Sequence, residues 1–198
     1  VSVIDNRHTD TRELQIAGKA LSPAGLQVMS VVDIKDDYID VIATQDALSR
    51  DLLRIGFDGS ITEIAQGGMA SATTTTADLQ VVVESRLDTH TRSYQLRRGV
   101  KTEHYFDSLA ESPNFTSQVH VLKTGTHQVN TAVLFPRDHV YGSKKLPVMM
   151  RPYGGPHGPQ VQNGALIYAI DQWFADQGFV VIIADNRGTG GRGPAWDH

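Results

Sequence analysis

Two glycine-rich stretches hold the residues of this chain whose types and order could do chemistry. The first is Arg151-Pro152-Tyr153-Gly154-Gly155-Pro156-His157-Gly158. The second is Asp185-Asn186-Arg187-Gly188-Thr189-Gly190-Gly191-Arg192-Gly193. Each directly follows a strongly apolar run, residues 146–150 and 179–184. Open α/β sheets place their sites beyond the carboxyl ends of such strands. In the first stretch Gly154 and Gly155 let the backbone turn sharply or approach a ligand closely, and Pro156 stiffens the residues after it. A tyrosine hydroxyl held there can donate to an oxyanion that develops during acyl transfer, and one such donor contributes about 2.7–4 kcal/mol. The plainer use of Tyr153 is packing at the strand end, where aromatic rings bury readily. His157 can line the same site or face solvent.

The second stretch suggests other chemistry. Gly188, Gly190 and Gly193 satisfy G-x-G-x-x-G after a strand, the pattern that cradles a dinucleotide pyrophosphate at a helix N-terminus. Three polar residues separate the strand from the first glycine, and the ribose-binding acid expected about 20 residues on would fall beyond His198. A structural turn is the alternative, with Arg187 paired to a carboxylate and the glycines permitting positive φ. The eight histidines form no H-E-x-x-H or other compact ligand pair, so no metal site is expected. No serine sits in G-x-S-x-G. Ser143 beside Lys144 reads as a solvated loop.

The elements that must position these loops differ along the chain. Strand-like runs occur at 28–34, 38–44, 52–57, 61–65, 79–85 and 93–97, with no convincing helical stripe before residue 105. Asp58-Gly59-Ser60 between two of them is a strong hairpin signal. This spacing suggests a sandwich, a barrel or propeller blades, and there is room for about two blades of 40–45 residues. Residues 72–77, rich in threonine, are β-prone or loop, and a linker is expected near 108–114. Strands at 119–123 and 129–135 come next, joined by Thr124-Gly125-Thr126. The period then changes. Residues 146–150 read as a buried strand, and 163–177 as a helix with Leu166, Ala169, Ile170, Trp173 and Phe174 on one apolar face. Gly178 sits where a helix-ending glycine belongs, and 179–184 has the pattern of a parallel strand covered on both faces.

Composition narrows the function. A net charge of −4 over 198 residues argues against nucleic-acid binding, which wants a clustered basic face. The 40% hydrophobic and 20% charged content is that of a soluble globular protein. No apolar run approaches the roughly 20 residues of a membrane span. The absence of cysteine excludes disulfides and a thiol nucleophile and fits a cytoplasmic setting.

In their order and spacing, Leu146-Pro147-Val148, Arg151-Pro152-Tyr153-Gly154-Gly155-Pro156-His157, Trp173-Phe174-Ala175-Asp176-Gln177-Gly178-Phe179 and the Asp185 to Gly193 stretch resemble the prolyl oligopeptidase family of serine peptidases. The likeness is to its bacterial dipeptidyl-peptidase IV-like and acylaminoacyl-peptidase-like members, strong from about residue 119 and looser before. It implies mixed β and α/β architecture: the C-terminal blades of a β-propeller over 1–110, then the N-terminal part of an α/β-hydrolase domain over 111–198. It implies hydrolysis of short peptides, with Tyr153 as oxyanion donor in a loop shaped by Gly154, Gly155, Pro156 and His157. Arg187 and Gly188 would give structural support beside the nucleophile. The triad serine, aspartate and histidine would come after His198, so this stretch alone is expected to be inert. The resemblance implies no cofactor, no metal, no nucleic acid and no membrane partner, and is compatible with a homo-oligomer. Two other readings stand beside it: a dinucleotide-binding protein using residues 188–193, and a non-catalytic β-rich interaction module.

Overall fold

The computed structural model describes residues 1–75, 78–111, 116–156 and 158–197. Its first half is built from antiparallel sheets. Strands β1 (Ser2–Asn6), β2 (Thr11–Ile16) and β3 (Lys19–Ala20) form a three-stranded sheet. Strands β4 (Gln27–Ile34), β5 (Tyr38–Thr44), β6 (Asp51–Gly56) and β7 (Ile61–Ala65) form a four-stranded meander. A second meander joins β8 (Met69–Thr74), β9 (Leu79–Ser85), β10 (Ser93–Arg98) and β11 (Lys101–Phe106). These two sheets are blade-like, and the three-stranded sheet stands before them. The six expected strands are present to within about a residue. Those at 2–6, 11–16, 19–20, 69–74 and 101–106 are additional.

Alternation along β5 explains how the sheets stack, since successive side chains point to opposite faces. Ile39, Val41 and Ala43 join Leu14, Val28 and Ile55 in the core against the first sheet. Ile42, from the other face, joins Leu52, Ala70 and Val82 against the third. Asp40 shares that second face and is buried, so it needs partners. It receives Arg54 through two bonds of 2.9 and 3.0 Å and Gln80 Nε2 at 2.9 Å. The Asp58-Gly59-Ser60 turn forms as expected: Gly59 has φ +85, and Asp58 Oδ1 accepts the Ser60 N–H at 2.9 Å.

The second half is one mixed sheet in the order β12, β13, β15, β14. Its strands are β12 (Val119–Thr124), β13 (Val129–Leu134), β14 (Val148–Arg151) and β15 (Val180–Ala184). β14 and β15 are parallel and are joined through helix α1 (Ala169–Asp176), which a 3-10 turn, Ala165–Tyr168, precedes. Gly178 ends the helix with φ +100.

Two expectations about this half are corrected. The face of α1 that meets the sheet is Tyr168, Asp171, Gln172 and Ala175, while Ile170 and Trp173 are 71% and 58% exposed. Polar groups are drawn inward because the sheet presents partners for them. Gln172 accepts the Gln118 N–H at 2.7 Å and donates to the Phe135 carbonyl at 2.9 Å. Asp171 pairs with Arg151, 2.7 Å away. Among the described residues, moreover, β15 is fully covered on one face only. Val181 and Ile183 are buried beneath α1, whereas the register partners Val148 and Met150 on the other face are exposed. The same register puts Arg151 on the helix side, where Asp171 meets it.

The two halves are joined by main-chain bonds. Asn163 N–H donates to Leu48 O at 2.7 Å, and Ala165 N–H to Arg86 O at 3.0 Å. Leu48 and Leu87 reach from the first half into the core under α1. Of the expected linker, residues 112–114 lie outside the described residues, as do Thr76 and Ala77 of the threonine-rich stretch.

Candidate active site

Strand β14 delivers the first loop and β15 the second, and adjacency of the strands makes the loops neighbours. Asn186 Nδ2 donates to the Tyr153 carbonyl at 2.7 Å, a direct tie between them. Asp185, buried at the end of β15, accepts the Gln160 N–H at 2.6 Å and the Val161 N–H at 3.2 Å. Those amides belong to the far end of the Tyr153 loop, so one carboxylate fixes where that loop returns to the sheet. In the glycine pattern Asp185 counts only as a polar spacer, and its role is not visible there. The signal that could have found it is a lone acid directly after six apolar residues, a place where a carboxylate must find donors.

Within the loop, the Tyr153 ring lies over Gly155. A Cβ at Gly155 would meet Tyr153 Oη at 2.6 Å and Cζ at 2.7 Å. Neither Gly154 nor Gly155 has positive φ, so Gly155 is needed for the room it leaves to the ring rather than for backbone freedom. Tyr153 is half-buried, and its hydroxyl has no hydrogen-bond partner among the described residues. It is therefore a free donor. His157 lies outside the described residues.

The second loop is turned by glycines and pressed onto the first half. Gly188, Gly191 and Gly193 have φ of +92, +97 and +104. A Cβ at Gly191 would lie 3.2 Å from both Ala47 Cβ and Thr44 Cγ2, and one at Gly193 would lie 2.6 Å from the Asp10 carbonyl. Thr189, buried, donates to Asn186 O at 2.8 Å. Arg192 stacks 3.9 Å above the Trp196 ring and donates to His127 O at 2.9 Å. Arg187 is exposed and makes no ion pair with a described residue, which corrects the alternative that paired it to a carboxylate.

This packing is unsuited to a dinucleotide. The glycines lead into helix α2 (Pro194–Asp197). The Asp10 carboxylate accepts its Ala195 N–H at 2.7 Å, placing negative charge where a pyrophosphate would have to sit. No group of acidic or histidine side chains among the described residues could hold a metal ion.

Burial shifts the acids of the site. Desolvation pushes the Asp185 carboxyl above its ordinary value, against the opposing pull of the Gln160 and Val161 amides and of Arg192. A raised folded-state pKa stabilises the fold below the unfolded value, and that contribution is lost as pH rises through the folded value. Asp185→Asn keeps an acceptor and removes the titration. The stability of the native protein relative to this variant is expected to fall as pH rises from below the ordinary carboxylate range through the raised value, then level off. Urea unfolding of both proteins across that range checks it, and a relative stability that climbs with pH contradicts the assignment.

No helix among the described residues is long and apolar enough to cross a membrane. No protein-family model and no curated protein matches this sequence. Solved structures do. The dipeptidyl peptidase 4 of Porphyromonas gingivalis superposes with a TM-score of 0.75 at 20% identity. A Bacteroides ovatus protein described as a candidate dipeptidyl aminopeptidase IV does so with a TM-score of 0.76, also at 20% identity. In both cases the match covers 90% of this chain and 27% of the other, so the chain spans about a quarter of the length of these structures. At that identity the likeness is one of fold.

Proposed function

We propose that this chain belongs to a serine peptidase of the prolyl oligopeptidase type that hydrolyses short peptides in dipeptidyl- or acylaminoacyl-peptidase fashion. In this reading residues 1–110 are the C-terminal blades of a β-propeller and 111–198 open an α/β-hydrolase domain. The observation that carries it is Tyr153: half-buried, its hydroxyl without a partner among the described residues, and set in a loop tied to its neighbour after a parallel strand pair. The fold likeness to two proteins named as dipeptidyl peptidases supports it.

In the mechanism, a serine outside this stretch attacks the scissile carbonyl. A histidine takes its proton and passes it to the leaving amine, and Tyr153 donates to the oxyanion of the tetrahedral intermediate. A donor with no other partner to give up needs little reorganisation when charge develops, and the Tyr153 hydroxyl has none among the described residues. Gly155 makes room for the ring, and Asp185 and Asn186 hold the loop that carries it.

A fluorophosphonate probe tests this on the full-length protein. One covalent adduct per chain, together with loss of peptide hydrolysis, is the expected result. A folded full-length protein that takes no adduct and cleaves no peptide would falsify the reading.

A further inference from the structure

A second feature lies across the junction from the tyrosine loop. A pocket opens between β8, β9 and the 3-10 turn before α1, lined among others by Arg50, Ser71, Ser85, Arg92, Leu166 and Ile167. None of its lining residues is acidic. Arg54, Arg86 and Arg151 have carboxylate partners, Asp40, Asp88 and Asp171. Arg50 and Arg92 have none among the described residues. Arg50 Nε is buried and has no hydrogen-bond partner among the described residues. An atom closed to solvent is closed to a ligand as well, so a ligand in the pocket would meet the terminal guanidinium nitrogens of Arg50, which are not buried.

The backbone holds Arg50 firmly. Its N–H donates to Gly68 O and its carbonyl accepts the Ala70 N–H, both at 2.8 Å. Arg50 also lines the crevice against Pro159, Gln162, Gly190 and Gly191, residues of the two site loops. A guanidinium presents its N–H groups as a planar fork that matches a carboxylate. Two serine hydroxyls can complete the bonding, and Leu166 and Ile167 offer an apolar wall.

We infer that Arg50 and Arg92 form a subsite for a carboxylate of a peptide bound at the junction. This deepens the peptidase reading and rests on it for the identity of the ligand. The carboxylate is either a peptide's C-terminus, which would favour short substrates, or an acidic side chain.

Titration calorimetry on the full-length protein with three small probes tests this. N-acetylalanine carries a C-terminal carboxylate, N-acetylglutamic acid α-amide a side-chain carboxylate, and N-acetylalanine amide none. At least one carboxylate is expected to bind about tenfold more tightly than the neutral amide, and the better of the two identifies the source. Arg50→Gln should reduce that carboxylate to the affinity of the amide. Arg92→Gln, at an exposed position that the fold does not need, should weaken it about threefold. Equal binding of all three probes to the native protein overturns the proposal, as does a carboxylate preference that survives both substitutions. If Arg50→Gln does not fold, the native comparison and Arg92→Gln decide. A carboxylate preference without a fluorophosphonate adduct would keep the subsite and sink the peptidase. An adduct without the preference would do the reverse.

Discussion

Replacing Tyr153 by phenylalanine in the full-length protein is expected to lower kcat for a short peptide about 100–1,000-fold, with KM nearly unchanged. The split comes from when the hydroxyl acts. In the proposed mechanism it donates only to the charge that develops in the transition state, so its loss would raise the barrier without weakening substrate binding. The fold should not suffer. The hydroxyl has no partner among the described residues, and the phenylalanine ring keeps its place over Gly155. Steady-state kinetics beside a melting curve check both halves. A kcat within threefold of the native value would remove Tyr153 from the chemistry, and a large fall in Tm would make its role structural.

The second large effect is on stability. Gly193→Ala is expected to destabilise the protein by about 2–4 kcal/mol. About 1–2 kcal/mol comes from placing a Cβ at a left-handed φ of +104, and the rest from overpacking. The new methyl group would lie 2.6 Å from the Asp10 carbonyl, which is backbone and cannot swing aside. Gly125→Ala is the control. That glycine has φ +67 and nothing within 4 Å of its would-be Cβ, so only the conformational cost of about 1 kcal/mol applies. Urea unfolding of the two variants separates the terms. Equal losses would mean that the contact with Asp10 adds nothing.

The strands most legible in the sequence are those with a clean pattern and a definite turn. Tyr38–Thr44 is one, and Ile61–Ala65 after Asp58-Gly59-Ser60 is another. Met69–Thr74 is not legible. Alanine, serine and threonine give it little propensity of its own, and it is a strand because β9 pairs along its whole length. The outer strand Lys101–Phe106 has largely exposed side chains and therefore no inward stripe to read. The face of α1 defeats apolar periodicity, which assumes that polar groups stay outside. Gln172 turns inward for Gln118 and Phe135, partners 54 and 37 residues away in sequence. The site loops are legible as loops from their glycines and the strands before them. What each glycine does is not. Gly155 clears space for a ring within its own loop, whereas Gly193 lets two distant segments touch.

That last contact joins residues 185 apart, Asp10 and Ala195. Closing so long a loop costs entropy that no local structure repays, and contacts of this separation slow folding. During synthesis the three-stranded sheet must emerge and wait, its Asp10 turn uncapped, until the glycine loop 185 residues later arrives to seat against it. The blade-like sheets can assemble early from near neighbours, but the seam that fixes them to the site is sealed late. A substitution in the seam should therefore act mainly by speeding unfolding rather than by slowing the first steps of folding.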